Sequence, residues 1–432
     1  MKKIILSIIV ASSLFGTVTP KIEDVSIIPQ DFSNFAIDLN STFSKYNEEF
    51  VIRYYKPWAG DFEINRFNFD FGARYIAPKT YFGDNKQEVS QSFKEKLIAN
   101  TNPQTFPSAY HNGITTRNTN CRVMPTNKPF FYDFKNTGGG YPFDYLQNSL
   151  LHINTPLKVL HYSLDRAFVF VETPYVSGWV NSNDIAFVSD ENIEKVKKME
   201  LITPKIDDIS ILDTKNNFVE KGYIGATFWK DKNQSLYLFK SNENSVATLS
   251  SLGTKGSDFT QIPQIPTKEN LIQIAKQLYG QNYGWGGSGE NRDCSMLIRD
   301  MYTPFGIFLE RNSNMQANEK KEEIISFEGK TSEEKIKIIK ENGIPFATFL
   351  YMKGHIMIYI GTFNDEVTIF HSFWSIKTLN KGRHIVGGSY VTSLKPGIEL
   401  EEYDHENGTL LDKLVSMRVL GNSPQSSKII KN

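Results

Sequence analysis

The chain has 432 residues, 40% of them hydrophobic and 13% aromatic. It is therefore long enough for two to four domains with buried cores, and too rich in rings to be largely disordered. Lysine plus arginine and aspartate plus glutamate each number 48, so the formal net charge is zero. This balance, without a basic stripe, argues against nucleic acid or another polyanion as a partner. We predict neither a metal ion nor a cofactor.

The first 20 residues follow the pattern of an export signal. Lys2 and Lys3 precede an apolar run from Ile4 to Ala11, and small residues follow through Gly16. The run is too short to span a bilayer of about 30 Å, and no cysteine follows it to carry a lipid. A buried first helix is the alternative. We predict a signal peptide over residues 1–20 and an exported protein, periplasmic or secreted, with no stable membrane anchor after signal removal.

Residues 21–105 mix polar loops with aromatic clusters and contain no recognisable catalytic pattern, although residues 90–99 are typical of a short helix. Short strands then dominate residues 106–190. The segments 157–162 and 167–171 flank a polar turn, which predicts a hairpin, and Gly178-Trp179-Val180 follows. Several short strands at this spacing indicate a small β-barrel. A weaker set over residues 191–262, with a hairpin formed by 223–230 and 235–240, predicts a second one.

A linker rich in polar residues and proline occupies residues 256–266 and marks a domain boundary. After it, Thr267 is placed to cap a helix. The apolar positions of that helix follow the spacing of one buried face, namely Leu271, Ile274, Ala275 and Leu278. The remaining residues, 263–432, form the last predicted domain and contain the residues of chemical interest.

The chain has two cysteines, Cys121 and Cys294, and the surroundings of Cys294 are typical of a reactive thiol. A glycine-rich loop over residues 283–287 precedes it, and such a loop allows the backbone to approach a ligand closely. Asp293 is placed to cap a helix that begins with Cys294, and a helix N-terminus favours the thiolate. We therefore expect a lowered cysteine pKa and no disulfide between the two cysteines. A buried structural cysteine is the alternative.

A nucleophilic cysteine needs a base, and the base needs a group that orients it. His355 begins a predicted strand with alternating isoleucines at 356, 358 and 360, and His371 ends the next strand, over residues 367–371. Adjacent antiparallel strands would bring both imidazoles to the cysteine helix. Either histidine alone is typical of a structural residue. Together with Cys294 they fit the nucleophile, base and orienting group of a papain-like site.

These motifs resemble the NlpC family of papain-like cell-wall hydrolases. The resemblance lies in residues 283–287, 293–295 and 354–361, and it extends through Arg311-Asn312-Ser313, Gln316 and residues 371–374 to most of residues 267–420. Upstream, residues 117–126, 143–147 and 178–180 resemble a bacterial Src-homology-3-like barrel. The resemblance implies a multidomain α+β protein. Its papain-like NlpC catalytic domain is preceded by an N-terminal stabilising domain (21–105) and by two small β-barrels (106–190 and 191–262).

The resemblance also implies hydrolysis of murein stem peptides between γ-D-glutamate and the diamino acid. Cys294 would be the nucleophile, His355 the general base and His371 the orienting residue. Tyr283, Asp293 and Ser295 would line the substrate pocket, with Asp293 and Tyr283 helping to hold a free amino terminus. The first barrel would close that pocket, with a contribution near Asp144 and Tyr145, so that only a trimmed peptide fits.

The sequence departs from the family pattern at three places. Asn291 replaces the usual glycine two residues before the aspartate, and Met296 replaces a small residue after the Asp-Cys-Ser motif. Residues 318–342 are rich in lysine and glutamate, which predicts a solvated helical insertion on the surface. Two other functions remain open: a non-catalytic wall-binding or scaffolding protein, and an acyltransferase or amidase on the same scaffold.

Overall fold

A computed structural model of the protein describes residues 22–136 and 138–421, apart from the side chain of Lys45. The predicted signal peptide lies outside these residues. Within the described part of the chain, no helix is long and apolar enough to cross a membrane. The described residues form a multidomain α+β protein with helices and several antiparallel sheets.

The N-terminal segment is helical, and it contacts domains that follow much later in the sequence. Phe32 and Phe43 lie in the same buried cluster as residues of the last domain, whereas Phe50 lies in a cluster with residues of both barrels. The helix predicted over 90–99 is confirmed and begins after Ser90, whose side chain accepts a hydrogen bond from a backbone N–H of the first turn. The helices are α1 (Glu23–Ile27), α2 (Asn40–Phe43), α3 (Asn47–Tyr54), α4 (Arg66–Ile76) and α5 (Gln91–Asn100).

The first barrel is a seven-stranded antiparallel sheet with the strand order β3-β2-β6-β5-β4-β1-β7. Its predicted hairpin is confirmed as β4 and β5, with Val159 opposite Val171. Trp179 of the Gly-Trp-Val signature is only 1% exposed and belongs to a buried aromatic cluster. The strands are β1 (His111–Thr115), β2 (Thr119–Arg122), β3 (Gln147–Leu151), β4 (Pro156–Tyr162), β5 (Phe168–Glu172), β6 (Ser177–Asn181) and β7 (Ile185–Phe187).

The second small β unit begins with helix α6 (Asp190–Lys197) and contains a five-stranded sheet and a two-stranded ribbon. Its predicted hairpin is present, with Trp229 opposite Tyr237, but its first strand begins at Phe228 instead of residue 223. The five-stranded sheet has the order β13-β12-β11-β8-β14. The strands are β8 (Glu200–Pro204), β9 (Ile209–Leu212), β10 (Phe218–Gly222), β11 (Phe228–Lys230), β12 (Leu236–Ser241), β13 (Ala247–Ser251) and β14 (Phe259–Gln261).

The last domain packs helices against a six-stranded antiparallel sheet of order β15-β20-β16-β17-β18-β19. The capping of α7 by Thr267 is confirmed, because its side chain accepts from the N–H of Asn270. The elements are α7 (Lys268–Leu278), α8 (Cys294–Tyr302), α9 (Ser313–Asn318), β15 (Ile324–Ser326), α10 (Ser332–Asn342), β16 (Thr348–Met352), β17 (His355–Phe363), β18 (Glu366–Thr378), β19 (Gly382–Ser393), α11 (Leu410–Lys413) and β20 (Ser416–Val419).

The charged stretch over residues 318–342 is only partly the solvated helix that its composition predicts. Its second half is α10, but its first half contains β15, which pairs with β20 at the edge of the sheet. Glu323, in the same half, is 4% exposed and its carboxylate accepts from Arg418 Nε at 2.8 Å. The prediction was therefore wrong for this half, because charge composition does not reveal that a charge has a buried partner.

A buried network of charges fixes both β units to the helix that carries Cys294. Arg292 lies one residue before the helix cap and is 2% exposed. It donates to Asp207 of the second β unit at 2.8 Å and to Asp300 of α8 at 2.7 Å. The Asp300 carboxylate also lies 3.0 Å from Nε2 of His152 in the first barrel. Moving the units apart would leave buried charges without partners, which is strongly unfavourable. The network therefore holds both β units and α8 in a fixed arrangement.

Candidate active site

Cys294 is the first residue of α8, and every residue of this helix is buried. The predicted cap is confirmed: Asp293 Oδ1 accepts from the backbone N–H of Met296 at 2.8 Å. Leu297, Ile298 and Met301 fall in one buried cluster with the isoleucines of β17. The apolar face of α8 thus packs on the sheet, and its first turn faces a cleft of about 1600 Å³ to which Cys294 contributes.

The glycine-rich loop before α8 lines the cleft through Gly286 and also packs on the first barrel. Gly286 and Gly287 have φ angles of 59° and 82°, a region that favours glycine. A Cβ on Gly286 would come within 2.7 Å of the Gln147 carbonyl oxygen, and Gln147 Nε2 donates to the Gly286 carbonyl at 3.1 Å. The glycines therefore allow close packing of the loop on strand β3 of the first barrel.

His355 and His371 meet beside the cleft, as their strand positions predict. Nε2 of His355 lies 2.8 Å from Nδ1 of His371, and Nε2 of His371 lies 3.0 Å from the Thr392 hydroxyl. Both histidines line the same cleft as Cys294. The tight turn before β17 brings His355 to this position, and it contains Gly354 at φ 85°.

The direction of these hydrogen bonds determines which imidazole nitrogen is free. The Thr392 hydroxyl donates its only proton to the Ser393 carbonyl at 2.8 Å, so it accepts from His371 Nε2. His371 Nδ1 is then an acceptor, and His355 donates to it through Nε2–H. Nδ1 of His355 consequently has a free lone pair, which is the form required of a base.

Burial makes both members of the expected catalytic pair neutral. Burial raises the pKa of the Cys294 thiol to about 12, and the Asp293 carboxylate adds to this, although the backbone N–H of Ile356 favours the thiolate. Burial also lowers the pKa of His355 to about 4. The expectation of a lowered cysteine pKa was wrong, because the loss of hydration outweighs the helix N-terminus.

Asp293 and Ser295 line the cleft, but their polar atoms have partners within the protein. The Asp293 carboxylate accepts from the backbone N–H groups of Gly286 and Met296, from the Ser295 hydroxyl and from two nitrogens of Arg311. Burial alone would raise the pKa of Asp293, but Arg311 and these hydrogen bonds lower it. Five donors saturate a carboxylate, so Asp293 does not have the capacity to hold the free amino terminus assigned to it from the sequence.

Arg311 is the site residue to which the sequence assigned no role. Its guanidinium donates to Asp293 at 2.8 Å, to the Ser295 hydroxyl at 2.9 Å and to the Ser149 hydroxyl of the first barrel at 2.7 Å. It is 6% exposed, and it links the barrel to the first turn of α8. Its place in the Arg-Asn-Ser motif was the available signal, but the partner residues lie too far away in sequence for spacing to identify them.

The two first-barrel residues singled out from the sequence differ in position. Tyr145 lines the cleft and donates to the Gly138 carbonyl at 3.0 Å. Asp144 is not among the residues of the cleft wall: its carboxylate pairs with Arg122 at 2.6 Å, and its carbonyl accepts from Trp285 Nε1 at 3.0 Å. Asp144 therefore supports the loop before α8 and does not face the cleft.

Tyr283 also lines the cleft and is close enough to Cys294 to interact with it electrostatically. Burial raises the pKa of the Tyr283 phenol well above its ordinary value, so the hydroxyl keeps its proton and can donate a hydrogen bond. The ring centroid of Tyr283 lies 6.1 Å from that of Trp374 of β18, which lines the same cleft.

We expect the hydrogen bond between His371 and Thr392 to hold His355 in position. Neither residue takes the thiol proton itself. Thr392→Val removes the acceptor for His371 Nε2–H, so the other tautomer competes and kcat falls by about tenfold with little change in KM. Thr392→Ser keeps the hydroxyl and is the matched control. His371→Asn, which can both donate and accept, should retain more activity than His371→Ala. Equal activity of Thr392→Val and Thr392→Ser would contradict this role.

Comparisons with known proteins agree with this architecture. A model of the NlpC/P60 family matches residues 280–385, and a model of an SH3 domain of the SH3b1 type matches residues 129–181. A third model, of the N-terminal NlpC/P60 stabilising domain, matches residues 4–106, so it begins within the predicted signal peptide. The fold and site thus define a multidomain α+β protein with a barrel beside a papain-like helix and sheet. The chain carries an NlpC/P60 domain together with its stabilising domain and an SH3b-type domain.

Among solved structures, an NlpC/P60 endopeptidase from Photobacterium damselae subsp. piscicida is similar over 92% of this chain and 98% of its own, with 26% identity and a TM-score of 0.83. An NlpC/P60 family protein from Bacillus cereus ATCC 10987 has 14% identity over 63% of this chain and 82% of its own, with a TM-score of 0.43. No curated protein sequence matched the chain.

Proposed function

We propose that the protein is a cysteine peptidase that hydrolyses murein stem peptides at the bond between γ-D-glutamate and the diamino acid. The observation that carries the proposal is the hydrogen-bonded chain His355–His371–Thr392 beside Cys294 in one cleft. The NlpC/P60 match and the similarity to a solved NlpC/P60 endopeptidase support cleavage of peptidoglycan. The bond itself is an expectation from the family resemblance.

The neutral pair dictates how the reaction begins. The Cys294 thiol transfers its proton to Nδ1 of His355 while the sulfur attacks the scissile carbonyl carbon, and the carbonyl electrons move to the oxygen. The backbone N–H of Cys294 lies in the first helical turn, where N–H groups have no acceptor within the helix, and it can donate to that oxyanion. The imidazolium then protonates the leaving amine as the C–N bond breaks. Water hydrolyses the thioester with His355 as base and restores the thiol.

We also propose that the preferred substrate has a free amino terminus, which Glu172 holds. Asp293 is saturated, whereas Glu172 lines the cleft from strand β5 of the first barrel and accepts one hydrogen bond, from Asn68 Nδ2 at 2.9 Å. Within the described residues Glu172 forms no ion pair. Lys56 acts on this carboxylate only from beyond ion-pair distance. A partly buried carboxylate in this position is suited to pair with a substrate ammonium.

Export is a further part of the proposal, and it depends on the sequence pattern of residues 1–20 alone. A mature protein that begins near residue 21, identified by mass in the periplasm or the medium, would support it. A full-length chain in the cytoplasm would contradict it.

The decisive experiment uses defined tri- and tetrapeptides of murein, with product identification by mass. The proposal requires a dipeptide that ends in D-glutamate and a second product that begins with the diamino acid. Transfer of the acyl group to an added amine would identify an acyltransferase, and binding without any product would identify a wall-binding protein. Cleavage at another bond would contradict the proposed specificity.

The neutral thiol–imidazole pair predicts an unusual pH dependence of alkylation. Because the thiol pKa is raised to about 12, the iodoacetamide reaction rate of Cys294 should keep rising with pH through pH 10. A thiolate–imidazolium pair would instead give a plateau at neutral pH. His355 is the base only above its folded pKa of about 4, so kcat should be lost as pH falls through about 4, not near 6.5. A plateau of the alkylation rate below pH 8 would contradict the neutral pair.

A further inference from the structure

The wall of the cleft that contains Cys294 also includes residues of β18 and of the segment 403–413. Lys377 and Lys413 belong to this part of the wall. Lys377 Nζ donates to Asn407 Oδ1 at 3.0 Å, and Lys413 Nζ donates to the Gly408 carbonyl at 3.0 Å. Each ammonium has three donors, so these neutral acceptors leave donors of both lysines for another partner.

Neither lysine has the kind of carboxylate partner that Arg311 has in Asp293. Among residues 22–136 and 138–421, neither ammonium forms an ion pair. Burial lowers the pKa of Lys413, and the positive charge of Lys377 lowers it further. The two ammonium groups are therefore close enough to repel each other. Of the nearby carboxylates, Asp412 accepts from the backbone N–H and hydroxyl of Thr409 and from the Ser332 hydroxyl, and Asp404 caps a turn at Asn407.

Carboxylates and a further cation, Lys56, line the same cleft. The carboxylates are Asp61, Glu63 and Glu172, from the N-terminal segment and the first barrel. Since Glu172 is proposed to hold the amino terminus of the substrate, the carboxylate at the other terminus of the peptide lies on the leaving side of the scissile bond and needs a cationic partner there.

We propose that Lys377 and Lys413 form a subsite for the carboxylate of the residue on the leaving side of the scissile bond. The wall beside the lysines is apolar, with Ile376, Tyr403 and Leu410 among its residues, and it suits the aliphatic part of a diamino acid. The inference rests on the proposed function and deepens it: the preferred substrate ends in a free carboxylate shortly after the cleaved bond. A peptide that is amidated there loses the negative charge and one of the two acceptor oxygens that face the ammonium groups.

The test compares two stem tripeptides that differ only in a carboxylate or a carboxamide on the diamino acid. The wild-type protein should cleave the acid with a kcat/KM at least about tenfold above that of the amide. Lys377→Met and Lys413→Met keep the side-chain length, and each should reduce cleavage of the acid while leaving cleavage of the amide unchanged. Lys413→Arg keeps the positive charge, so it should keep the preference for the acid that Lys413→Met loses. Lys337→Met, at an exposed position, is the matched control.

Binding of both peptides to Cys294→Ala, measured by calorimetry, separates this inference from the proposed function. If the wild-type protein cleaves neither peptide but the Cys294→Ala protein binds the acid more tightly than the amide, the subsite stands and the proposed reaction fails. If the wild-type protein cleaves the acid and the amide equally well, the subsite is overturned and the reaction stands. If a lysine variant reduces cleavage of both peptides alike, its lysine has a structural role and the proposal is overturned for it.

Discussion

Replacing Cys294 with alanine should reduce peptide cleavage by at least about 10⁴-fold, because the proposed reaction passes through an acyl intermediate on the Cys294 sulfur. The protein should remain folded. The side chain loses one sulfur atom at the surface of the cleft, so the free energy of unfolding should change by about 1 kcal/mol. The measurement is kcat on a defined stem peptide, together with a thermal melt of the same preparation.

Cys121 provides the matched control for this substitution. It is fully buried in the first barrel, it is a free thiol like Cys294, and it does not line the cleft. Cys121→Ala should therefore keep wild-type kcat, and thiol counting on unreduced, denatured wild-type protein should give two. Near-normal cleavage by a folded Cys294→Ala protein would end the assignment of the nucleophile. A crosslinked peptide containing both cysteines would contradict the free-thiol state.

Acetylating the substrate amine should reduce kcat/KM by about 10² to 10⁴-fold if Glu172 holds a free ammonium. Burial raises the pKa of Glu172 to about 7, although Asn68 and Lys56 oppose this. The carboxylate form is present above that pKa and is lost as pH falls through about 7. The preference for the free amine should therefore weaken between pH 8 and pH 6. The measurement is kcat/KM for a matched pair of peptides at each pH.

Glu172→Gln preserves the size of the side chain and removes its charge, so it should abolish the preference while the acetylated peptide is cut as before. Glu194→Gln, at an exposed position of α6 that does not line the cleft, is the control. Equal kcat/KM for the free and acetylated peptides in the wild-type protein would indicate a cleft open to peptides still attached to glycan. The enzyme would then be a general wall hydrolase.

Local sequence patterns were sufficient to predict the helices and strands on which the site residues lie. Thr267 and Asp293 were recognised as caps because capping depends on a residue and the next three along the chain. The alternating isoleucines of β17 likewise identified the strand that begins at His355. The two histidines were placed together because consecutive strands are usually neighbours in a sheet.

Properties that depend on distant partners were not available from the sequence. The pairing of Arg311 with Asp293 and Ser149 joins residues 18 and 162 positions apart. Thr392 is one of many threonines in strands, and only the tertiary structure brings its hydroxyl to His371. The sequence predicted a lowered pKa for Cys294, whereas burial raises it. The helix cap can be read from neighbouring residues in the sequence, but the loss of hydration depends on many residues that only the fold brings around the thiol.

The N-terminal segment has a consequence for biosynthesis. Phe32, Phe35 and Leu39 are translated long before Ile298 and Phe370, with which they share one buried cluster. Domains usually fold in order as they emerge, at about 5–20 residues per second. Here the core of the last domain includes residues of the N-terminal segment, and those residues reach their buried environment only after the last domain has been synthesised. The buried cluster that contains Phe32, Phe35 and Leu39 therefore cannot be completed until Phe370 has emerged from the ribosome.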